Sequence, residues 1–485
     1  MSFKKSKIKN DNVGEILINK IGELRNSYIS AKKKNFISGV LLSVIGILII
    51  FFIGTFTFGK LSAFKFDLSF LNVLNMSSLS SAGPQQEKIN ILLTGVGGGS
   101  HEGAELTDTI ILASINTKKK MVTMLSLPRD LYVSYPAGGA GRINELYFRG
   151  LKNLSPSKAM TYLEDKVSEI TGEKIDYYAN IDFDGFIKFV DLIDGIKVDV
   201  PEKLVDTEYP DSNWGYETFS IKKGLQKLNG TTALKYARSR HSTSDFDRSL
   251  RQQLVIKAIK DKLFKLEYIG NPVKLKSLFY AISSNIKTDL SLTDMISFAL
   301  LAKSIPTENI YSFNLNTSCF DNINLCERGG FLYYGDRSAF GGASVVLPEG
   351  ATASNLSRYG DINKFSNMIF NYPEVFKDKY EINIVNTTKV SGLANRFATE
   401  LKKYGFNIPE KDSILSTKDK FEKTKINFLY DEVNKTGVSP DNKSLEAISQ
   451  FIFSEQIPSK KLTYSKNPGT KIEIVIGNDY KLYFK

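Results

Sequence analysis

At 485 residues the chain is too long for one ordinary domain, and its 42% hydrophobic and 24% charged composition is that of a folded globular protein. The net charge of +12 is uneven: residues 1–36 hold nine Lys/Arg against three Asp/Glu, which leaves the remainder only mildly basic and without the broad basic face of a nucleic-acid-binding protein. Two cysteines, Cys319 and Cys326, and two histidines, His101 and His241, exclude a Cys/His zinc cluster and disfavour a histidine relay.

In chain order, residues 1–35 form a basic tail ending in Lys32, Lys33 and Lys34. No charged residue occurs from Phe36 to Phe58, and at about 1.5 Å per residue this stretch can cross a hydrocarbon core of about 30 Å. A signal peptide is the competing reading, but the leader is long and Phe51, Phe52, Phe56 and Phe58 keep the far end bulky. The expectation is an uncleaved anchor with the N-terminus cytoplasmic and the rest extracytoplasmic. Residues 59–87, Ser-rich near Met76 to Pro84, read as a linker.

A folded domain is expected over 88–310. Ile91 to Leu93 is a short apolar strand running into Gly95, Gly97, Gly98 and Gly99, a weak phosphate-loop signal with no following Lys-Ser/Thr. Residues 109–127 read as a hairpin, ending at Arg129 and Asp130, and 156–171 as a helix. Strands are expected over 175–181 and 196–200. Between them lies a strongly apolar helix, 183–193, whose Phe183, Phe186, Phe189 and Val190 read first as core. Residues 204–223 read as a long surface loop, and helices are expected near 272–284 and 291–304. The Gly-, Ser- and Asn-rich stretch 311–379 reads as a connecting region of turns. Residues 380–485 read as a small α/β domain without a convergent acid, His or Arg cluster, hence a binding module. The class is α/β (α+β): a mixed central sheet flanked by helices, one N-terminal transmembrane helix, and the small C-terminal domain.

The chemistry concentrates between Tyr236 and Gln253, which holds Arg238, Arg240, Arg248 and Arg251 with Asp245 and Asp247 among them. Asp245 is a reasonable N-cap for the apolar-periodic helix that follows, and Arg248 and Gln252 then share one helix face. Several guanidiniums near a helix N-terminus suit a phosphate. A solvated, salt-bridged helix entry explains the same residues equally well.

These motifs resemble, in order, those of the LytR-CpsA-Psr family. They are Asn90 to Leu93, Thr107-Asp108-Thr109, Ser126 to Asp130, Arg142 to Asn144, Asp191 to Gly195, Tyr236 to Arg240, Asp245 to Arg248, and Arg251-Gln252-Gln253. Residues 380–478 are similar to the C-terminal domain that often accompanies the family. The resemblance implies a membrane-anchored phosphotransferase. It would move a glycopolymer from a polyprenyl-pyrophosphate carrier to a cell-wall (peptidoglycan) sugar hydroxyl. The alternatives are a polyprenyl-pyrophosphate pyrophosphatase or a non-catalytic envelope-binding or regulatory protein. By the resemblance, Arg129, Arg238, Arg240, Asp245 and Arg248 are catalytic. Arg142, Asp247, Arg251 and Gln252 assist binding, and Asp108 and Asp245 hold Mg2+, with Mn2+ as the alternative. The expected partners are the lipid-linked glycan, the wall acceptor polymer and the membrane, not nucleic acid. The family commonly has an Asp where this chain has Gly97, which removes one metal-side carboxylate and leaves His101, Glu102 and Glu105 as nearby substitutes. The lipid tail needs an apolar groove, for which Phe183, Phe186, Phe189 and Val190 are the secondary reading.

Overall fold

The computed structural model describes residues 86–99, 103–136, 138–210, 215–239, 245–265, 272–317, 328–373, 381–408, 414–417, 420–431, 436–437, 461–463 and 472–482. The expected anchor at 36–58, both cysteines and the expected helix at 444–454 lie outside them. Among the described residues no helix is long and apolar enough to cross a membrane.

The first elements are β1 (Lys88–Val96), β2 (Thr109–Asn116), β3 (Met121–Ser126), β4 (Tyr132–Ser134), β5 (Ala140–Arg142), α1 (Glu145–Leu151), α2 (Pro156–Thr171) and β6 (Tyr177–Asp182). Then come α3 (Phe183–Leu192), β7 (Ile196–Val200), β8 (Leu204–Pro210), β9 (Tyr216–Ile221), β10 (Gly224–Leu228), α4 (Gly230–Arg238) and α5 (Asp245–Lys265). They are followed by α6 (Pro272–Ile282), β11 (Ile286–Thr288), α7 (Leu292–Lys303), β12 (Ile310–Asn314), β13 (Leu332–Tyr334), β14 (Val346–Pro348) and α8 (Gly360–Asn371).

Six strands form the central sheet in the order β11-β6-β1-β2-β3-β12. β1 pairs parallel with β6, and β3 with β12, while β1–β2, β2–β3 and β6–β11 are antiparallel. The sheet is therefore mixed, as expected. β1 sits inside it because its apolar run can be buried on both faces. One face packs on α1, α2 and α8 through residues such as Leu146, Leu163 and Phe365, and Ile111, Ala113 and Met124 of the other face meet Ile256 of α5. A second core joins α3, α4 and α5 to β7 through β10.

The pairing directions put the carboxyl ends of β1, β6, β3 and β12 at one edge of the sheet, together with the start of β2. In open α/β sheets that edge is where ligands bind, because loops there can vary without disturbing the core. Close packing brings α4 to it. A Cβ on Gly230 would lie 2.3 Å from the Ile187 carbonyl oxygen, so only glycine lets α4 approach α3 this closely. Asp191 accepts a hydrogen bond from the Gly230 amide at 2.7 Å, and Asn229 caps the same end through Thr232 N.

Three readings change. Residues 204–223 are not a loop: β8 and β9 pair antiparallel and bury Tyr209, Phe219 and Asp206. The helix at Phe183–Leu192 is not plain core, since Phe183, Phe186 and Phe189 are only half-buried. Residues 311–379 supply β12, β13, β14 and α8, and Phe331, Phe365 and Ile369 are fully buried. Turns do occur there, with positive φ at Gly329, Gly341 and Gly342, but they punctuate core segments.

The C-terminal region builds a second six-stranded sheet from β15 (Ile382–Asn386), β16 (Ile414–Ser416), β17 (Lys425–Asp431), β18 (Thr436–Gly437), β19 (Lys461–Thr463) and β20 (Ile472–Ile476), with α9 (Leu393–Lys403) packed on β15. It joins the main core directly. Tyr404 packs on Phe331 at 4.9 Å and Phe365 at 6.3 Å, and Lys403 O accepts from Gly329 N at 2.8 Å. The Lys403 ammonium is buried; burial opposes its charge, but Glu349 at 2.6 Å and Glu400 at 3.0 Å hold its pKa raised.

Two stability tests follow from this packing. Overpacking costs about 1–3 kcal/mol, and the obstructing backbone carbonyl cannot swing away as a side chain would. Gly230→Ala should therefore lower the thermal midpoint despite alanine's better helix propensity; an unchanged midpoint would refute the contact. Burial first, then Asp289 and Asp165, push the Glu164 carboxyl up to about 7 from 4.5. The folded state thus holds more protons than the unfolded one across that window, and stability falls as pH rises through it. Glu164→Gln should raise the midpoint at pH 8 and leave it near wild type at pH 5, as read by calorimetry.

Candidate active site

Asp108 precedes β2, and Arg129 and Asp130 follow β3, so the antiparallel β2–β3 pairing brings them together. Asp108 Oδ1 accepts from Arg129 Nη1 at 2.9 Å and from Asn144 Nδ2 at 3.4 Å. Asp130 lies 3.5 Å from Arg129 Nε and 3.7 Å from Arg142 Nη1, and Arg142 Nε donates to Glu145 at 3.4 Å. Charges thus alternate from Asp108 through Arg129, Asp130 and Arg142 to Glu145. Half-exposed pairs of this kind add little stability. Their effect here is to fix the direction of Arg129.

Arg238 is the last residue of α4. Its guanidinium lies over the Phe183 ring at 4.1 Å and the Tyr209 ring at 5.5 Å, and Nη1 donates to Tyr209 Oη at 3.2 Å. Burial raises the Tyr209 phenol's pKa, against the pull of Arg238, so this acceptor is neutral at physiological pH. Arg248 and Gln252 project from α5 one turn apart, and Gln252 Nε2 donates to Thr109 Oγ1 at 3.0 Å. Gln253, buried beside them, donates from Nε2 to Ser126 Oγ, Phe313 O and Asn314 Oδ1 at 2.9, 3.1 and 3.2 Å. One amide thereby locks α5 to the ends of β3 and β12.

Two cavities open between these elements. An arginine cavity has Arg129, Arg238, Arg248, Asp108, Phe183 and Tyr209 in its wall. A neighbouring cavity shares Asp108, Arg248 and Gln252 with it and extends to Asp130, Thr317 and the β13–β14 hairpin.

Of the predicted site residues, Asp108, Arg129, Arg238, Arg248 and Gln252 meet at the arginine cavity. Arg251 does not reach either cavity. It is buried, Nε donates to Tyr236 O at 3.0 Å and Nη2 donates to Ser239 O, so it fastens the end of α4 to α5. Burial lowers its pKa. Arg142 also lines neither cavity and acts on Arg129 through Asp130. Asp247 is exposed on the first turn of α5 and lines neither. Arg240, His101, Glu102 and the side chain of Asp245 lie outside the described residues, although α5 does begin at Asp245.

Sequence reading missed Tyr209, Asp206 and the hairpin, all in segments taken for loops. The alternation Leu204, Asp206 was the available signal, because both are buried on one face of β8.

Asp108 Oδ1 is occupied, while Oδ2 has no partner among the described residues. An open carboxylate oxygen beside a phosphate-sized, arginine-lined cavity fits Mg2+, which takes one or two carboxylates and completes its shell with phosphate and water. No group of three His, Cys, Asp or Glu that could hold a metal occurs among the described residues. Asp182, near Gly98, does not replace the carboxylate missing at Gly97. Its Oδ1 accepts from Gly185 N at 2.7 Å, and both its oxygens accept from Asn285 Nδ2 at 3.1 Å.

The LytR_cpsA_psr family matches residues 65–340, and the LytR cell envelope-related transcriptional attenuator domain matches 379–480. The chain is 25% identical over 338 residues to the cell wall biosynthesis protein LcpA of Corynebacterium glutamicum, covering 63% of this chain and 59% of that one. It is 31% identical over 220 residues to the polyisoprenyl-teichoic acid–peptidoglycan teichoic acid transferase TagU of Enterococcus faecalis, covering 44% of this chain and 66% of that one. In both cases the chain spans less than two thirds of the relative's length. Against the crystal structure of Bacillus subtilis TagV the TM-score is 0.44 at 23% identity, over 59% of this chain and 99% of that one. With one family matched across more than half its length and that family's companion domain behind it, the chain belongs to the LytR-CpsA-Psr family.

Proposed function

We propose that this protein transfers a phosphate-linked glycopolymer from a polyprenyl-pyrophosphate carrier to a sugar hydroxyl of the cell wall. The observation that carries the reading is the arginine cavity, where Arg129, Arg238 and Arg248 converge beside the open carboxylate oxygen of Asp108. A diphosphate diester carries two negative charges, and three guanidiniums answer them in planar, forked geometry. The names of the relatives, a cell wall biosynthesis protein and a teichoic acid transferase, support the same reaction class. The segment at 36–58 would anchor the chain with the residues after Lys60 on the extracytoplasmic side, where a lipid-linked donor is presented.

In this reading the acceptor hydroxyl oxygen attacks the sugar-linked phosphorus. A new P–O bond forms, the bridging P–O bond breaks, and polyprenyl phosphate leaves with the bonding pair. The acceptor proton passes to water at the open mouth. The leaving group is itself a phosphate, so no general acid is needed, and catalysis rests on position and charge. Arg238 is held by Phe183 and Tyr209, and Arg129 by Asp108 and Asp130, so neither must reorganise as charge shifts between the phosphates. Arg248, in the wall of both cavities, would meet the reacting phosphorus where the two join. Asp108, with Asp245 from the start of α5, would hold Mg2+, which when bound supplies further neutralisation of the diphosphate.

A charge-assisted hydrogen bond contributes about 1.5–3 kcal/mol, so Arg238→Ala and Arg248→Ala should each weaken binding of a polyprenyl-diphosphate saccharide by about 10–100-fold. Full donor affinity in either variant would sink the assignment. Arg238→Lys keeps the charge but loses the fork and the planar stack on Phe183; about a tenfold weakening is expected. Product analysis with and without a glycan acceptor distinguishes the transferase from a pyrophosphatase, which would release polyprenyl phosphate equally in both cases.

A further inference from the structure

The second cavity is not required by the diphosphate. It meets the arginine cavity at Asp108, Arg248 and Gln252, but Arg129 and Arg238 do not line it. Its remaining polar wall includes Asp130, Ser126, Thr317 and Ser344, and Tyr334 also lines it.

Tyr334 is presented there by strand geometry. Successive residues of a strand point to opposite faces. Tyr333 is half-buried, packs on the small core of Leu347, Ala351 and Leu356, and donates through Oη to Ala351 O. Tyr334 therefore faces the other way, 63% exposed, with no hydrogen bond or ring contact among the described residues. The hairpin is fastened to the site itself. Val346 N donates to Asp130 O at 3.0 Å, and Leu131 bridges Val346, so the ring is held in register with Arg129 and Asp130.

An exposed ring beside carboxylates and hydroxyls, with one guanidinium at the shared wall, suits a neutral polyhydroxylated ligand better than a second anion or a lipid chain. Sugar C–H faces pack on aromatic rings, and carboxylates and hydroxyls accept or donate to sugar hydroxyls. Resting on the transfer reaction proposed above, we infer that this cavity is the acceptor subsite: one sugar of a wall glycan stacks on Tyr334, and its hydroxyl is directed across Asp108 and Arg248 to the phosphorus. The bond made and the bond broken are those already described, so the subsite adds position and no new reactant. Tyr334 is thereby a specificity residue for the acceptor and has no part in holding the donor.

The test uses the full chain and a soluble peptidoglycan glycan fragment as the probe, with binding read by calorimetry in the presence of inorganic pyrophosphate. Wild type should bind the fragment; Tyr334→Ala should weaken this by tenfold or more, and Tyr334→Phe and Tyr334→Trp should stay within twofold, since the ring and not the hydroxyl is used. Polyprenyl-diphosphate affinity should be the same in all four proteins. In a transfer assay Tyr334→Ala should raise the acceptor KM and leave kcat at saturating acceptor near wild type. No fragment binding by wild type, wild-type affinity in Tyr334→Ala, or a loss of donor affinity in that variant would each overturn the subsite. Fragment binding that depends on Tyr334, in a protein that transfers nothing, would leave the subsite standing and count against the transfer reaction instead.

Discussion

Everything at this site depends on holding three guanidiniums around one cavity. Like charges at close quarters repel, and an arginine left to itself would turn to solvent. The protein restrains its arginines in different ways. Arg129 is gripped at both ends by Asp108 and Asp130. Arg238 is laid on the negative faces of Phe183 and Tyr209 and tied to the Tyr209 hydroxyl. Arg248 rides on α5, and α5 is fixed by Gln253 and Arg251, neither of which reaches the cavities. For the proposed transfer, binding energy would then not be spent on ordering side chains, which is the condition for using it on the transition state.

That restraint reaches outward through the fold. α4 can bring Arg238 to the sheet edge because Gly230 lets it close on α3, and Asp191 seals its first turn. Gln253 places α5 against the ends of β3 and β12, so the arginine cavity depends on a strand from the segment that looked like a linker. The same segment continues through Phe331 to the contact with Tyr404 and Lys403. The C-terminal region is thus packed against the wall that carries the β13–β14 hairpin.

The local elements were largely legible in the sequence, because their signals are local. The helix at Pro156–Thr171 follows its apolar period, β7 its strict alternation, and the β2–β3 hairpin its turn. The Arg-rich stretch could be identified from residue types alone, and its motifs carried the family. Errors came where composition stood in for contacts. Glycine, serine and asparagine in 311–379 suggested turns, but Phe331, Phe365 and Ile369 are spaced to fill a core that exists only once the sheet and the C-terminal region are assembled.

The sequence by itself determined which residues could bind phosphate and roughly which helices and strands carry them, since charge and periodicity are properties of a few neighbouring positions. Tertiary structure decided which arginines line the cavity. Arg238 and Arg251 are equally conspicuous in the chain, yet one is stacked in the cavity wall and the other is buried against backbone carbonyls. The difference is set by the crossing of α4 over α3 and by the seating of α5 on the sheet. Those contacts join residues far apart in the chain, and no local pattern records them. Tyr209 and Tyr334 show the same thing from the other side: an aromatic residue in an apparent loop reaches a cavity wall only when a strand pairing sets the face from which it points.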